Sequence, residues 1–203
     1  MVLKLPEGVT LYFCRHGQTE ANVEKRFQGL TIDTPLTKRG RKEAKDVAKI
    51  LAHHVKDPAK LKFVSSPLHR ARTTMEIIRE HLDLPCEEFS TDARLTEINL
   101  GEWDGLTHKQ ARALDPAFFD KRENNKWDVR VPGGGEDYAD VARRAERFIE
   151  TLRHDTFAVT HGGFTRILRG LFEGLTGQEM SALDEPQGVL FRARGHKVKR
   201  FDP

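Results

Sequence analysis

Cysteine and long apolar runs are both scarce in this sequence of 203 residues. Its two cysteines, Cys14 and Cys86, cannot form a disulfide framework, and they fit a reducing compartment. No apolar run approaches the length that crosses a bilayer. The apolar stretch near the amino terminus reaches charge at Arg15 and has no small-residue cleavage site, so it does not resemble a signal peptide. We therefore expect a cytoplasmic protein without a membrane partner.

An excess of charge of one sign is also missing. The chain has 34 basic and 31 acidic residues, which leave a formal net charge of +3. No basic stripe interleaved with aromatic residues appears, and this argues against nucleic acid as a partner. Hydrophobic residues make up 37% of the chain and charged residues 32%, a balance that suits a substantial core with a hydrated surface.

Several well-known catalytic patterns are absent as well. A cysteine-based phosphatase needs an arginine six residues after its cysteine, but Glu20 stands at that distance from Cys14. The chain has no glycine-rich nucleotide phosphate loop and no nucleophile elbow around a serine. It also lacks the paired histidine or cysteine spacings that indicate zinc. These absences remove thiol, P-loop, serine-hydrolase and zinc chemistry from consideration.

Strand-like and helix-like segments alternate along the chain, and no repeat or linker divides it. Short β-rich runs at 10–14, 62–65 and 157–160 predict strands, and 189–194 with 197–201 predicts a closing hairpin. Apolar residues recur at helical spacing between these runs. Alternating β and α units predict an α/β fold, with helices on both faces of a mainly parallel sheet. We expect one domain over residues 1–203.

Polar residues of a particular kind stand directly after the three predicted strands. In such sheets ligands bind at the carboxyl ends of the strands. Two histidines and at least two arginines therefore reach one edge, and no other histidine follows a strand and precedes a glycine. The residues are Arg15, His16 and Gly17 after the first strand, Ser65, Ser66 and Arg70 after the second, and His161, Gly162, Gly163 and Arg166 after the third.

This combination of residues suits a phosphate group. Arginine presents forked donors that match phosphate oxygens, and a helix amino end supplies free backbone N–H groups. Glycines such as Gly17 and Gly162 let the backbone approach a ligand closely. A neutral imidazole nitrogen can attack phosphorus and form a covalent intermediate, while a partner holds the other nitrogen. Each residue alone has an ordinary structural explanation, but their occurrence together favours phosphoryl chemistry.

Phosphoryl transfer from an ester also needs an acid, because the departing alkoxide requires a proton. The glycine-marked, loop-like segment 95–105 is the obvious source. Composition does not choose among its three carboxylates. They are Glu97, Glu102 and Asp104.

These residues resemble the histidine phosphatase superfamily, the phosphoglycerate mutase-like proteins. The family signature opens the series as Arg15-His16-Gly17-x-Thr19-x-x-Asn22. Further motifs follow in family order over almost the whole chain, which is far more specific than one short match. They are Arg26-Phe27-Gln28-Gly29, Pro35-Leu36-Thr37-x-x-Gly40, Ser65-Ser66-Pro67-x-x-Arg70, Leu95-x-Glu97-Ile98, Pro132-Gly133-Gly134 and His161-Gly162-Gly163.

The resemblance implies a three-layer α/β/α sandwich, and it assigns roles to residues. It implies that His16 is the nucleophile that becomes phosphohistidine and that Glu97 is the proton donor. It implies no metal and no organic cofactor. The catalytic residues it implies are His16, Glu97, Arg15, Arg70 and His161. The phosphate or substrate contacts it implies are Arg15, His16, Asn22, Gln28, Gly29, Arg70, His161 and Gly162.

The function that the resemblance implies is hydrolysis of the phosphomonoester of a small metabolite. The family's glycolytic mutases are longer and handle a second substrate charge with an extra segment. The region between Gly105 and Pro132 is short here and lacks their paired-arginine pattern. Two alternatives stay open: a phosphoglycerate mutase-type isomerase, and a non-catalytic module that binds a phosphorylated ligand.

Residues 107–131 are expected to form a partial cap over the active site. Aromatic and basic residues of this segment, such as Trp127 and Arg130, would favour an anionic or ring-bearing substrate if they face the site. If these aromatic residues instead belong to the core and the basic residues are solvated at the surface, they indicate nothing about the substrate. Asp137 stands where many family members have a small hydroxyl residue, and the sequence gives no reason for it. The oligomeric state is not predicted.

Overall fold

The alternating strand and helix segments form one six-stranded sheet with helices on both faces in the computed structural model, which describes residues 2–203. The strands are β1 Thr10–Arg15, β2 Lys62–Ser65, β3 Ser90–Thr91, β4 Thr156–Thr160, β5 Leu190–Arg194 and β6 Lys197–Phe201. The helices are α1 Glu20–Val23, α2 Lys38–His54, α3 His69–His81, α4 His108–Leu114, α5 Pro116–Asn124, α6 Tyr138–Glu150, α7 Gly162–Glu173 and α8 Gly177–Ala182.

The sheet is mainly parallel, as the sequence predicts. Its strand order is β3-β2-β4-β1-β5-β6. The four strands from β3 to β1 run parallel, and the β5–β6 hairpin continues the sheet in antiparallel orientation. Because β1 and β4 are neighbours, the residues that follow them reach the same edge. Within residues 2–203, no helix has the length and apolar character needed to cross a membrane.

The two faces of the sheet bury separate hydrophobic cores. Successive side chains of a strand point to opposite faces. Leu11 and Phe13 of β1 therefore pack with α6 and α7, whereas Tyr12 and Cys14 pack with α2 and α3. This is the expected three-layer sandwich. Cys14 is fully buried in the core, and this burial raises the pKa of its thiol far above its ordinary value, which disfavours the thiolate.

The first turn of α2 lies directly against the backbone that follows β1. The Thr37 hydroxyl accepts the Gly40 N–H at 3.0 Å and caps the helix. A Cβ on Gly40 would stand 2.1 Å from the Gln18 carbonyl oxygen, and one on Gly17 would stand 2.2 Å from the Gly40 oxygen. Both positions need glycine because two backbone segments meet there. This contact fixes the segment that carries His16.

We expect Gly40→Ala to lower the free energy of unfolding by about 1–3 kcal/mol, since the clash is with backbone and cannot be relieved by a side-chain rotation. The loss should appear although alanine favours a helix over glycine by about 1 kcal/mol. Thermal and denaturant unfolding measure it. The exposed neighbour provides the control, because Arg41→Ala should change stability by no more than about 0.5 kcal/mol. An unchanged midpoint for Gly40→Ala would contradict the close contact.

Candidate active site

A cavity of about 470 Å³ lies at the carboxyl edge of the sheet. Arg15, which ends β1, and His16, which follows it, contribute to its wall, as do Gly163 and Arg166 from the start of α7. Its volume is in the range of sites for small molecules. A larger cavity, of about 1060 Å³, lies at the opposite edge among residues 2–10, but none of the predicted site residues lines it. Chemistry rather than size therefore identifies the site.

His16 is buried and held in one tautomer. Its Nδ1 lies 2.8 Å from the Gly17 carbonyl oxygen, which can only accept, so Nδ1 carries the proton. The Nε2 lone pair accepts the Nε–H of Arg70 at 3.3 Å. Burial, together with the charges of Arg70 and Arg15, lowers the pKa of His16 well below its ordinary value. The imidazole is thus neutral, with its free lone pair on Nε2.

Arg70 is fully buried at the start of α3 and is clamped by the loop that precedes Pro35. Its Nη2 donates to the Gly29 carbonyl at 2.8 Å, and its Nη1 pairs with Asp33 at 3.1 Å. Asp33 also accepts the Arg70 backbone N–H at 3.1 Å. The N-cap residue of α3 provides no side-chain hydrogen bond, so the Asp33 carboxylate accepts a backbone N–H that would otherwise lack a partner at the helix start. This loop carboxylate was not predicted from the sequence.

His161 lies behind His16 at the start of α7. The two imidazole rings are 5.1 Å apart at an angle of 62°. The Nε2 of His161 lies 2.8 Å from the Ser66 hydroxyl, and its buried Nδ1 has no partner among residues 2–203. Burial, with the charges of Arg70 and the nearby ring, lowers the pKa of His161 well below its ordinary value. Both histidines of the site are neutral.

Glu185 links the two arginines of the cavity wall. Its backbone carbonyl accepts Arg15 Nη1 at 2.7 Å, and its carboxylate lies 3.9 Å from the same nitrogen and 3.1 Å from Arg166 Nη1. Arg166 also donates to the Tyr138 hydroxyl at 2.8 Å. Sequence reasoning missed Glu185, because no motif marks it. Only the fold brings it back beside β1.

Glu97 is the one carboxylate of the 95–105 segment that lines the cavity in the described chain. Its oxygens accept the backbone N–H groups of Ile98 at 2.9 Å and Gly163 at 3.2 Å. A Cβ on residue 163 would stand 2.8 Å from Glu97 Oε1, so glycine permits this approach. Burial, and then the charge of Glu185, raises the pKa of Glu97 above its ordinary value. Glu97 thus keeps its proton to higher pH than an exposed glutamic acid.

The other two candidate acids have different places. Glu102 is exposed and does not line the cavity. Asp104 accepts the backbone N–H groups of Gly29 and Thr31, both at 2.7 Å. Asp104 therefore supports the loop that clamps Arg70.

Arg144 of α6 fixes the segment that carries Glu97. It donates to the backbone carbonyls of Arg94 at 2.8 Å, Thr96 at 2.6 Å and Glu97 at 2.9 Å. It also pairs with Glu136 at 3.1 Å. This arginine could not be singled out from the sequence, because most of its partners are backbone carbonyls, which no residue type reveals.

The expected phosphate or substrate contacts divide into two groups. Asn22 and Gln28 line the cavity together with Arg15 and His16. The others lie behind the wall. The Gly29 N–H donates to Asp104 and the Gly29 carbonyl accepts from Arg70, so Gly29 helps to hold Arg70 in place. The residues behind the wall are Gly29, Arg70, His161 and Gly162.

Three charged residues at the end of α5 and just after it reach the cavity, but Trp127 and Arg130 do not. Trp127 packs on Gly177, and Arg130 pairs at the surface with Asp137 at 3.3 Å and Asp140 at 2.6 Å. Asp137 caps α6 by accepting the Asp140 N–H at 2.7 Å, a role that aspartate and small hydroxyl residues share. The three charged residues of this region that line the cavity are Arg122, Glu123 and Lys126.

Comparison with known proteins places these features in a family. A model described as histidine phosphatase superfamily (branch 1) matches residues 11–194. The chain is 35% identical to a glucosyl-3-phosphoglycerate phosphatase of Mycolicibacterium vanbaalenii over 178 residues, which cover 81% of this chain and 74% of that protein. It is 40% identical to the protein of the same name from Mycobacterium tuberculosis over 143 residues, which cover 70% of this chain but only 59% of the relative.

Solved structures show the same similarity. A mycobacterial glucosyl-3-phosphoglycerate phosphatase, determined as a complex with VO3, matches this fold with a TM-score of 0.77 at 30% sequence identity. The match covers 96% of this chain and 97% of that one.

Proposed function

The chain belongs to the histidine phosphatase superfamily, and we propose that it hydrolyses phosphomonoesters through a phosphohistidine on His16, with Glu97 as the proton donor. One observation carries the assignment of residues. The Nε2 lone pair of a neutral His16 is fixed beside Arg70, in the same cavity as a buried Glu97 whose pKa is raised. A neutral histidine and a carboxyl group whose raised pKa favours its acid form thus line one cavity.

In the proposed first step the substrate phosphate docks at the cavity wall beside Arg15. The Nε–H of Arg70, behind the wall, turns from His16 Nε2 to a phosphate oxygen, and the freed Nε2 attacks phosphorus in line. The bond between phosphorus and the ester oxygen breaks, and that oxygen takes the proton of Glu97. The arginine donors and the amino end of α7 stabilise the charge on the equatorial oxygens. The Nδ1–H bond to Gly17 holds the ring in place as Nε2 gains the phosphoryl group.

In the second step water replaces the dephosphorylated alcohol. Glu97, now ionised, accepts a proton from this water as it attacks the phosphohistidine. The bond between Nε2 and phosphorus breaks, inorganic phosphate leaves, and both His16 and Glu97 return to their starting protonation states. His16 thus accepts and releases the phosphoryl group, and Glu97 donates and recovers the proton, so the cycle needs no further group.

We propose a small phosphorylated metabolite as the substrate. The volume of the cavity supports this class, and the relatives named above are phosphatases of such a compound. Residues 107–131 act as a partial cap in this proposal, since Arg122, Glu123 and Lys126 contribute to the cavity wall.

Turnover and isomerisation assays test this function. Purified protein should release phosphate from an aryl phosphate and should carry an acid-labile, base-stable phosphoryl group after rapid quenching. Proton NMR of 3-phosphoglycerate, with and without the bisphosphate primer, should show no 2-phosphoglycerate. Isomer appearing faster than phosphate would establish the mutase instead. Binding of phosphorylated ligands without any turnover would establish the non-catalytic module.

A further inference from the structure

Arg122 is a buried cation whose donors are not satisfied by the protein. It lies in the last turn of α5 and is 3% exposed. Its Nε and Nη1 atoms are buried and have no hydrogen-bond partner among residues 2–203. The guanidinium lies 5.4 Å from the centre of the Tyr138 ring, which stabilises its charge but engages none of its N–H groups in the plane. Burial of unpaired donors costs free energy, and an anionic ligand would offset it.

Arg122 lines the same cavity as His16 and Glu97. Arginine stays protonated in proteins, so burial lowers the pKa of Arg122 without removing its charge. An anion bound beside it would therefore sit in the cavity that receives the substrate.

No carboxylate of the described cavity wall forms an ion pair with this arginine, and the charges of Glu123 and Asp137 act on it from farther away. Glu123 pairs with Lys126 at 2.9 Å, and Glu185 pairs with Arg166 at 3.1 Å. The Glu97 carboxyl group accepts the backbone N–H groups of Ile98 and Gly163, and burial raises its pKa, which favours its neutral form. Because Glu123 and Glu185 pair with other cations, the Arg122 guanidinium on α5 has no ion-pair partner among the described residues.

We propose that Arg122 is a specificity-determining residue that binds a second anionic group, a carboxylate or a phosphate, on the substrate whose phosphomonoester reaches His16. This inference rests on the proposed function for the reacting phosphate, and it adds the substrate class: small metabolites with two anionic groups. Arginine is suited to both groups, because its fixed donors match carboxylate and phosphate oxygens.

A matched substrate pair tests the proposal by kinetics. The pair 3-phosphoglycerate and glycerol 3-phosphate differs only in a carboxylate against a hydroxymethyl group. Arg122→Met should lower kcat/KM for 3-phosphoglycerate by about 10- to 100-fold, the size expected for a lost charged hydrogen bond. It should change kcat/KM for glycerol 3-phosphate by less than about threefold.

Equilibrium binding separates this proposal from the proposed function and distinguishes the two anions. The His16→Ala protein, which should not turn over, is titrated with the carboxylate pair and with fructose 1,6-bisphosphate against fructose 6-phosphate. Adding Arg122→Met should erase the preference for the second anion in at least one pair, and that pair identifies the group. This readout decides the inference even if the enzyme hydrolyses none of these compounds.

Two variants serve as controls. Arg130→Met removes an arginine of the same region that lies outside the cavity, and it should leave both preferences intact. Arg122→Lys keeps the positive charge without the planar donors, and it should retain part of the preference for the ligand with two anionic groups. If the Arg122→Met protein does not fold, Arg122→Lys is measured in its place. Equal losses on one-anion and two-anion ligands, or no loss in either pair, would make Arg122 a purely structural cation and overturn the proposal.

Discussion

The His16→Ala protein is expected to release phosphate from aryl phosphates at least about a thousandfold more slowly than the unaltered protein, as loss of a covalent nucleophile does elsewhere. His161 cannot take over, because its Nε2 is bonded to Ser66 and it lies behind the cavity wall. The acid-labile phosphoprotein should disappear together with the turnover. Steady-state phosphate release and rapid-quench labelling measure the two effects.

A histidine outside the site provides the control for the loss of His16. His53 is exposed at the end of α2, and His53→Ala should keep full turnover and full labelling. Circular dichroism and thermal unfolding should show that the His16→Ala protein is folded. Labelling that persists in folded His16→Ala protein would move the phosphoryl group to another residue, and the proposed mechanism would then be wrong.

The sheet and its main helices could be predicted because their signals are local. The runs at 10–14, 62–65 and 157–160 and the hairpin from 189 to 201 all appear as strands. Apolar residues that recur at strand or helix spacing form one face of the element, and the strands and helices of this fold bury that face. β3 was missed because its two residues have no pattern of their own. They are extended only through pairing with β2.

The placement of the site histidines followed from topology. Carboxyl ends of parallel strands meet at one edge, so His16 and His161 had to lie close together, and their rings are 5.1 Å apart. The choice of Glu97 over Glu102 and Asp104 came from the family resemblance. The structure supplies a physical reason, since only Glu97 of these three is both buried and on the cavity wall.

The supporting charges could not be predicted from the sequence. Glu185 is 170 residues from Arg15, and Asp33 is 37 residues from Arg70, so no local spacing connects either pair. The sequence also did not reveal which side chains of the 107–131 segment face the cavity. Trp127 and Arg130 were the examples named as candidates to face the site, yet it is Arg122 that lines the cavity. Such choices are fixed by packing against neighbours that sequence spacing does not reveal.

Glu97→Gln should separate substrates by their leaving group. An alkyl phosphate depends on proton donation and should lose about 10²–10⁴-fold in kcat/KM, the usual contribution of a general acid. A nitrophenyl phosphate, whose phenolate leaves without a proton, should lose far less. Steady-state kinetics with both substrates measures the difference. Glu102→Gln, at an exposed position of the same segment, should affect neither substrate.

The pH dependence gives the same assignment an independent test. Donation requires the protonated form of Glu97, so kcat/KM for the alkyl phosphate should fall as pH rises through the raised pKa of this carboxyl group. His16 and His161 stay neutral because their pKa values are lowered, so they should add no activity loss near pH 6.5. The alkaline fall should vanish in Glu97→Gln. It should move to lower pH in Glu185→Gln, because the charge of Glu185 helps to raise the pKa of Glu97. Equal slowing of alkyl and aryl substrates, or an alkaline fall that survives in Glu97→Gln, would assign the acid to another group.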